Sequence, residues 1–266
     1  MPSTLILSLS ALVSLLPALA MPFARQPARD GVFWILLAPA VLGPLLWVIV
    51  SMGGRWHTDL SGALWVTIAA SMALFALISA TTSVGWRLVP LLLPYLLCLG
   101  VLATVLQEPA TPGLSGRAPD VWTQAHIAMA VFAYGFLTLS AVAALAVFLQ
   151  ERALKRKRPT RLTRLLPSVA EGERLQITLL TSSAIVLGLG LATGMAVTFF
   201  EKGSLLTLDH KTILSLLTFG LLVILLLAHH RTGLRGRVTT RLVLCAFLLL
   251  SLAYPGVKFV TGILIG

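Results

Sequence analysis

The sequence predicts an all-α polytopic membrane bundle of eight transmembrane helices, one integral membrane domain over residues 1–266 with both termini outside. Three observations predict it. Hydrophobic residues make up 58% of the chain and charged residues 11%, with a mean hydropathy of +0.96; soluble domains carry roughly 25% charged residues. Apolar stretches of about 20 residues, enough to cross a hydrocarbon core of about 30 Å, recur along the whole length. The basic residues are also unevenly placed. After the apolar run ending near Val147, seven of them crowd into the segment up to Arg164: Arg152, Lys155, Arg156, Lys157, Arg158, Arg161 and Arg164. Such a block is either a nucleic-acid patch or a positive cytoplasmic loop. Apolar spans lie on both sides, so the net charge of +11 belongs to loops and no nucleic-acid partner is expected.

The spans fall at about 4–23, 32–52, 60–82, 87–106, 122–150, 173–200, 208–229 and 239–262. The first resembles a signal peptide at Ala18-Leu-Ala20. It lacks a basic leader, however, and Arg25 and Arg29 follow it, which favours an uncleaved helix with its N-terminus outside. With the loop after the fifth span inside, fifteen of the twenty Lys and Arg residues lie at inner ends. Only Arg55, Arg117, Lys202, Lys211 and Lys258 lie at outer ends, the bias of the positive-inside rule. The outer segment 107–121 is rich in Pro and Gly and reads as irregular. The inner loop 151–172 contains Ser168-x-x-Glu171, the spacing of a capping box that starts the next helix. Cys98 and Cys245 sit in separate apolar runs. Neither forms CxxC or CxxCH, so no covalent haem attachment, thiol pair or zinc knuckle is encoded.

Ionisable residues at membrane depth are costly, so they mark candidate sites. His126 lies about one turn inside the outer end of the fifth span, and His210 opens the seventh on the same side. His229 and His230 close the seventh span at its inner end, about 30 Å from His210. His57 falls in a short outer loop. Neutral imidazole suits iron, and two opposed imidazoles would fill both axial positions of a haem. His126 and His210 are therefore candidate metal ligands, with Asp209 orienting an imidazole and Lys211 neutralising a propionate. Plainer readings stand beside these. His126 would hydrogen-bond a carbonyl of a neighbouring helix, and His210 would open an ordinary solvated helix start with Asp209 near its positive dipole end. Trp122, Phe199 and Phe200 either flank a flat macrocycle or belong to the aromatic belt. No acidic residue occupies the middle of a span, which argues against a proton or cation pump.

The second half resembles the cytochrome c assembly protein family, the CcsA/CcmC/HemX-like haem-handling membrane proteins, and most of all their short HemX/YpjD-like branch. Four features carry this resemblance. They are Ala125-His126-Ile127 with Ala133-Tyr134-Gly135; the basic loop ending in Leu165-Leu166-Pro167-Ser168; Asp209-His210-Lys211-Thr212-Ile213-Leu214-Ser215; and His230-Arg-Thr-Gly-Leu-Arg-Gly-Arg237 followed by Tyr254-Pro-Gly-Val-Lys258. Two family features are missing. Glu201 to Asp209 contains no tryptophan, and no second outer histidine follows the last span. The resemblance implies that His126 corresponds to an outer haem-ligand histidine and His230 to an intramembrane one. His210 has no family counterpart, and its role rests on position alone.

The resulting expectation is a multi-pass protein of a bacterial inner membrane, not an enzyme. It would bind haem b noncovalently near the outer face for cytochrome c assembly or haem delivery. Its cofactor contacts would be His126, His210, Asp209, Lys211, Trp122 and His230, and its partners lipid, haem, and cytochrome c maturation or tetrapyrrole-synthesis proteins. The alternative is a HemX-like membrane regulator or scaffold of tetrapyrrole synthesis or another membrane complex, without haem transfer.

Overall fold

The computed structural model describes residues 2–25, 28–52, 59–107, 118–207, 209–233 and 236–253. Among these, nine α-helices and one 3-10 turn are present and no strand. In chain order they are α1 (Pro2–Ala24), α2 (Gly31–Met52), α3 (Leu60–Thr81), the turn Gly85–Leu88, α4 (Val89–Val105), α5 (Asp120–Lys155), α6 (Arg161–Leu165), α7 (Val169–Lys202), α8 (His210–Thr232) and α9 (Arg237–Ser251). Seven of these segments are long and apolar enough to cross a membrane. The eighth expected span overlaps α9, 15 residues long as described, and its residues 254–262 lie outside the described residues. His57, Arg117, Tyr254 and Lys258 also lie outside them.

The chain packs as two compact units. One holds residues 1–114 and 145–172; the other holds 115–144 and 173–266. In the first unit α3 is central and buried almost all round, as a helix apolar on every face must be. Asp59 caps it by accepting the Gly62 N–H at 2.6 Å. A Cβ on Gly43 of α2 would fall 2.0 Å from the Ser14 hydroxyl of α1, so a glycine here lets the two backbones approach. Trp47 and Trp65 stack at 5.3 Å, and the Trp47 indole N–H donates to Ser8 at 2.9 Å. At the other end, Arg29 donates to the Ser79 and Thr82 carbonyls at 3.0 and 2.9 Å, closing the last turn of α3.

Two elements are longer or more ordered than hydropathy implies. α5 continues beyond 150 to Lys155, because Glu151-Arg-Ala-Leu-Lys are strong helix formers even where they no longer face hydrocarbon. The loop 151–172 contains α6, whose Thr160 and Thr163 cap each other reciprocally. The amide of Gln150 holds this segment down by donating to the carbonyls of Thr163, Leu166 and Pro167. The capping box at Ser168 forms as expected. The Ser168 N–H donates to the Glu171 carboxylate at 3.1 Å and the Glu171 N–H to the Ser168 hydroxyl at 3.4 Å, and α7 starts at Val169, four residues before the hydropathy boundary.

In the second unit, α5 and α7 run antiparallel along a polar seam with a seven-residue step. His126 Nδ1 meets the Gly190 carbonyl at 2.9 Å; Ser183 donates to the Ala133 carbonyl at 3.0 Å; Ser140 donates to the Gln176 carbonyl at 3.1 Å. A seven-residue step is close to two helical turns, so all three rungs lie on one face of each helix, about 21 Å from first to last. α8 and α9 complete the unit. Gly233 at φ 65° ends α8 in the left-handed conformation that glycine adopts without strain, and Glu173 accepts the Gly236 N–H at the start of α9.

Candidate functional site around His126

His126 is the rung of that seam nearest the N-terminus of α5, and its placement is set by three residues of α7. Gly190 supplies the carbonyl. Thr193 lies 3.5 Å from Nδ1 and itself donates to the carbonyls of Leu189 and Gly190. Gly194 leaves room for the ring, since a Cβ there would lie 2.8 Å from His126 Cε1. Gly190 and Gly194 form a G-x-x-x-G pair, the pattern that brings membrane helices close. A Cβ on Gly190 would already touch Met129 at 3.4 Å.

A carbonyl only accepts, so Nδ1 carries the proton and Nε2 keeps its lone pair. Nε2 makes no hydrogen bond among the described residues. A backbone carbonyl that fixes the tautomer while the other nitrogen stays open is the usual support of a metal-ligating histidine.

The half-buried ring borders two cavities. The deeper, of about 60 Å³, is walled by Ala130, Tyr134, Leu187, Leu250 and Ala253; the Tyr134 hydroxyl sits 3.0 Å from that of Ser251. The second, of about 210 Å³, extends past Gly194 and Thr198 toward Glu201, Lys202 and Asp209. His126, Leu191, Lys211 and Ser215 line both. The site thus pairs an apolar floor with a charged mouth.

The other expected site residues are distributed as follows. Lys211 lies in the lining. Asp209 lines the larger cavity but its carboxylate accepts the Thr212 N–H at 2.8 Å, capping α8. The Thr212 side chain first, then this backbone bond and the charges of Lys211 and Lys202, hold the Asp209 carboxyl below its ordinary value of 3.8. His210 is exposed and outside the lining of both cavities. Lys211 and Ser215 share one flank of α8, and His210 starts about 100° around the helix from Lys211. The structure therefore does not bring His210 to the cavity with His126. Trp122 is 42% exposed and outside the lining. Phe199 and Phe200 are exposed likewise, 6.2 Å apart. His230 is exposed at the far end of α8, its ring 5.6 Å from that of His229. Among the described residues no group of three or more His, Cys, Asp or Glu side chains is placed to hold a metal ion.

Sequence reading missed Gly190, Thr193, Gly194 and Ser215. The G-x-x-x-G pair was the available signal for two of them, and a seven-residue offset between Ser140 and Ala133-Tyr134 on one helix and Gln176 and Ser183 on the other was the signal for the seam.

Apolar helices of membrane-crossing length define a polytopic membrane protein, in which one imidazole is fixed through Nδ1 and borders two cavities. The chain belongs to the cytochrome c assembly protein family, whose profile matches residues 34–265. It is 55% identical, over the whole of both chains, to the uncharacterized 28.8 kDa protein in the nifR3-like 5' region of Azospirillum brasilense. It is 27% identical to the inner membrane protein YpjD of Escherichia coli strain K12 over 191 residues, 69% of this chain and 67% of that one.

The family implies haem as the group such a site would hold, and the residues present fit it in part. One imidazole nitrogen is open, the walls are apolar, and lysines stand where carboxylate tails would emerge. The larger cavity, at about 210 Å³, is below the roughly 300–1,000 Å³ of enclosed cofactor sites. A macrocycle would extend through the open mouth rather than sit fully enclosed.

Proposed function

We propose that this protein is a multi-pass inner-membrane haem carrier of the cytochrome c assembly pathway. It holds haem b noncovalently beside His126 and passes it on, without making or breaking covalent bonds. The observation that supports this reading most is the 2.9 Å contact of His126 Nδ1 with the Gly190 carbonyl, which leaves Nε2 open on the cavity. When bound, haem supplies the iron that this nitrogen ligates. The chain's own part is to orient and position. Gly190 fixes the tautomer, Gly194 makes room for the ring, and Leu187, Leu191 and Leu250 present an apolar wall. Lys211 and Lys202 are available to propionates. The inner-membrane setting follows from the YpjD relative and the apolar helices.

The test is a titration of haem into the detergent-purified full chain. Wild type should bind with a shifted Soret band, and His126→Ala should bind at least about tenfold more weakly, as expected for loss of a metal ligand. Equal binding by the two proteins removes this reading.

A further inference from the structure

A second candidate site lies in the first unit, where the C-terminus of α1, the turn Gly85–Leu88 and α6 meet. Met21, Pro22, Val89, Pro90 and Leu165 form an apolar notch, and Arg25, Trp86 and Arg87 stand at its rim. The enclosed space is about 10 Å³, room for one water-sized group. Basic side chains are concentrated here, but most are already engaged. Arg25 pairs with Asp30, Arg29 donates to the Ser79 and Thr82 carbonyls, and Arg161 donates to the Phe23 carbonyl. Arg87 differs. It is half-buried, its guanidinium lies 5.4 Å from the centroid of the Trp86 ring, and its side chain makes no hydrogen bond among the described residues. Glu171 acts on it only through its charge, and the Glu171 carboxylate is already held by the Ser168 N–H and hydroxyl.

We propose that Arg87, backed by Trp86, binds the headgroup phosphate of an acidic phospholipid at the rim of this notch. A guanidinium presents several donors in a planar fork that matches phosphate oxygens. The notch itself is apolar and, at about 10 Å³, too small for a headgroup, so the phosphate lies at its rim and the acyl chains outside it. Beside it, Phe23, Val32 and Trp34 are large apolar side chains left exposed, a surface suited to acyl chains. Basic pockets between helix ends on the positive side of membrane proteins are recurrent sites for anionic lipid headgroups. A free phosphate shares the headgroup chemistry but would not need that apolar flank. This site is independent of the haem reading, which concerns the other unit.

The experiment is native mass spectrometry of the full chain released from detergent after incubation with phosphatidylglycerol or phosphatidylcholine of identical acyl chains. Wild type should retain phosphatidylglycerol in preference to phosphatidylcholine, a comparison that needs no variant. Arg87→Gln should lower retention about fivefold, the effect of one basic group at a membrane surface. A variant with Lys155, Arg156, Lys157 and Arg158 changed to Gln should retain more of the lipid than Arg87→Gln, since none of the four lines the notch. Millimolar inorganic phosphate should leave it bound. Equal retention of the two lipids, undiminished retention by Arg87→Gln, an equal loss in the loop variant, or displacement by inorganic phosphate would each overturn the assignment.

Discussion

The carbonyl of Gly190 stands 2.9 Å from Nδ1 of His126, and four residues further along the same helix Gly194 has no side chain where one would strike that imidazole. One glycine sets the tautomer and the other sets the position. The pair makes His126 a fixed ring with an open nitrogen, and the consequences can be tested separately.

Gly194→Ala should disturb the ring without removing it. The added methyl would lie 2.8 Å from Cε1, so the imidazole must move. Overpacking of this kind costs typically 1–3 kcal/mol. Haem affinity should fall roughly tenfold, as when the support of a metal ligand is lost, while helicity by circular dichroism stays at the wild-type level.

The lower rungs of the α5–α7 seam should behave differently. Ser183→Ala and Ser140→Ala each remove one interhelical hydrogen bond, one and two rungs along the seam from His126. Such bonds average about 0.6 kcal/mol and reach about 1.7 kcal/mol in membrane proteins. Unfolding in mixed detergent should shift by that amount, with the haem spectrum unchanged. A large spectral change would mean that the seam transmits strain to the site.

Much of this architecture was legible in the sequence, for physical reasons that can be named. Span positions followed from apolar runs, and Ser168 with Glu171 announced the start of α7 because the box needs only a fixed local spacing. α5 outran its expected end because hydropathy measures preference for hydrocarbon, whereas helix formation continues through Glu151-Arg-Ala-Leu-Lys. His126 was found because an imidazole at membrane depth is rare. Its dependence on Gly190 and Gly194 was not, since the partner lies 64 residues away. The orientation of His210 was likewise beyond reach. Depth in the membrane follows from position along a helix, but the flank it occupies follows from how α8 packs.

His210 therefore provides a discriminating variant. It is exposed and outside the lining, so His210→Ala should leave haem content and spin state as in wild type. A change from a low-spin to a high-spin spectrum in this variant would show that its imidazole swings in as a second axial ligand.

Asp209 should matter through α8 rather than through iron. Losing an N-cap carboxylate costs about 0.5–2 kcal/mol, so Asp209→Ala should destabilise the chain by that amount. The Asp209 carboxyl is held below 3.8 chiefly by its bond to Thr212. A depressed carboxyl stabilises the fold above its unfolded value and loses that contribution as pH falls through the folded one. The stability gap between wild type and Asp209→Ala should accordingly be constant from neutral pH to about 4 and close below it.

The most direct measurement is the haem content of the full chain purified from haem-replete membranes, read as a reduced pyridine haemochrome against protein. The account predicts a haem b signal in wild type that is lost in His126→Ala at equal protein yield. A folded wild-type protein that carries no haem and takes none up, or a signal that survives removal of His126, would contradict it.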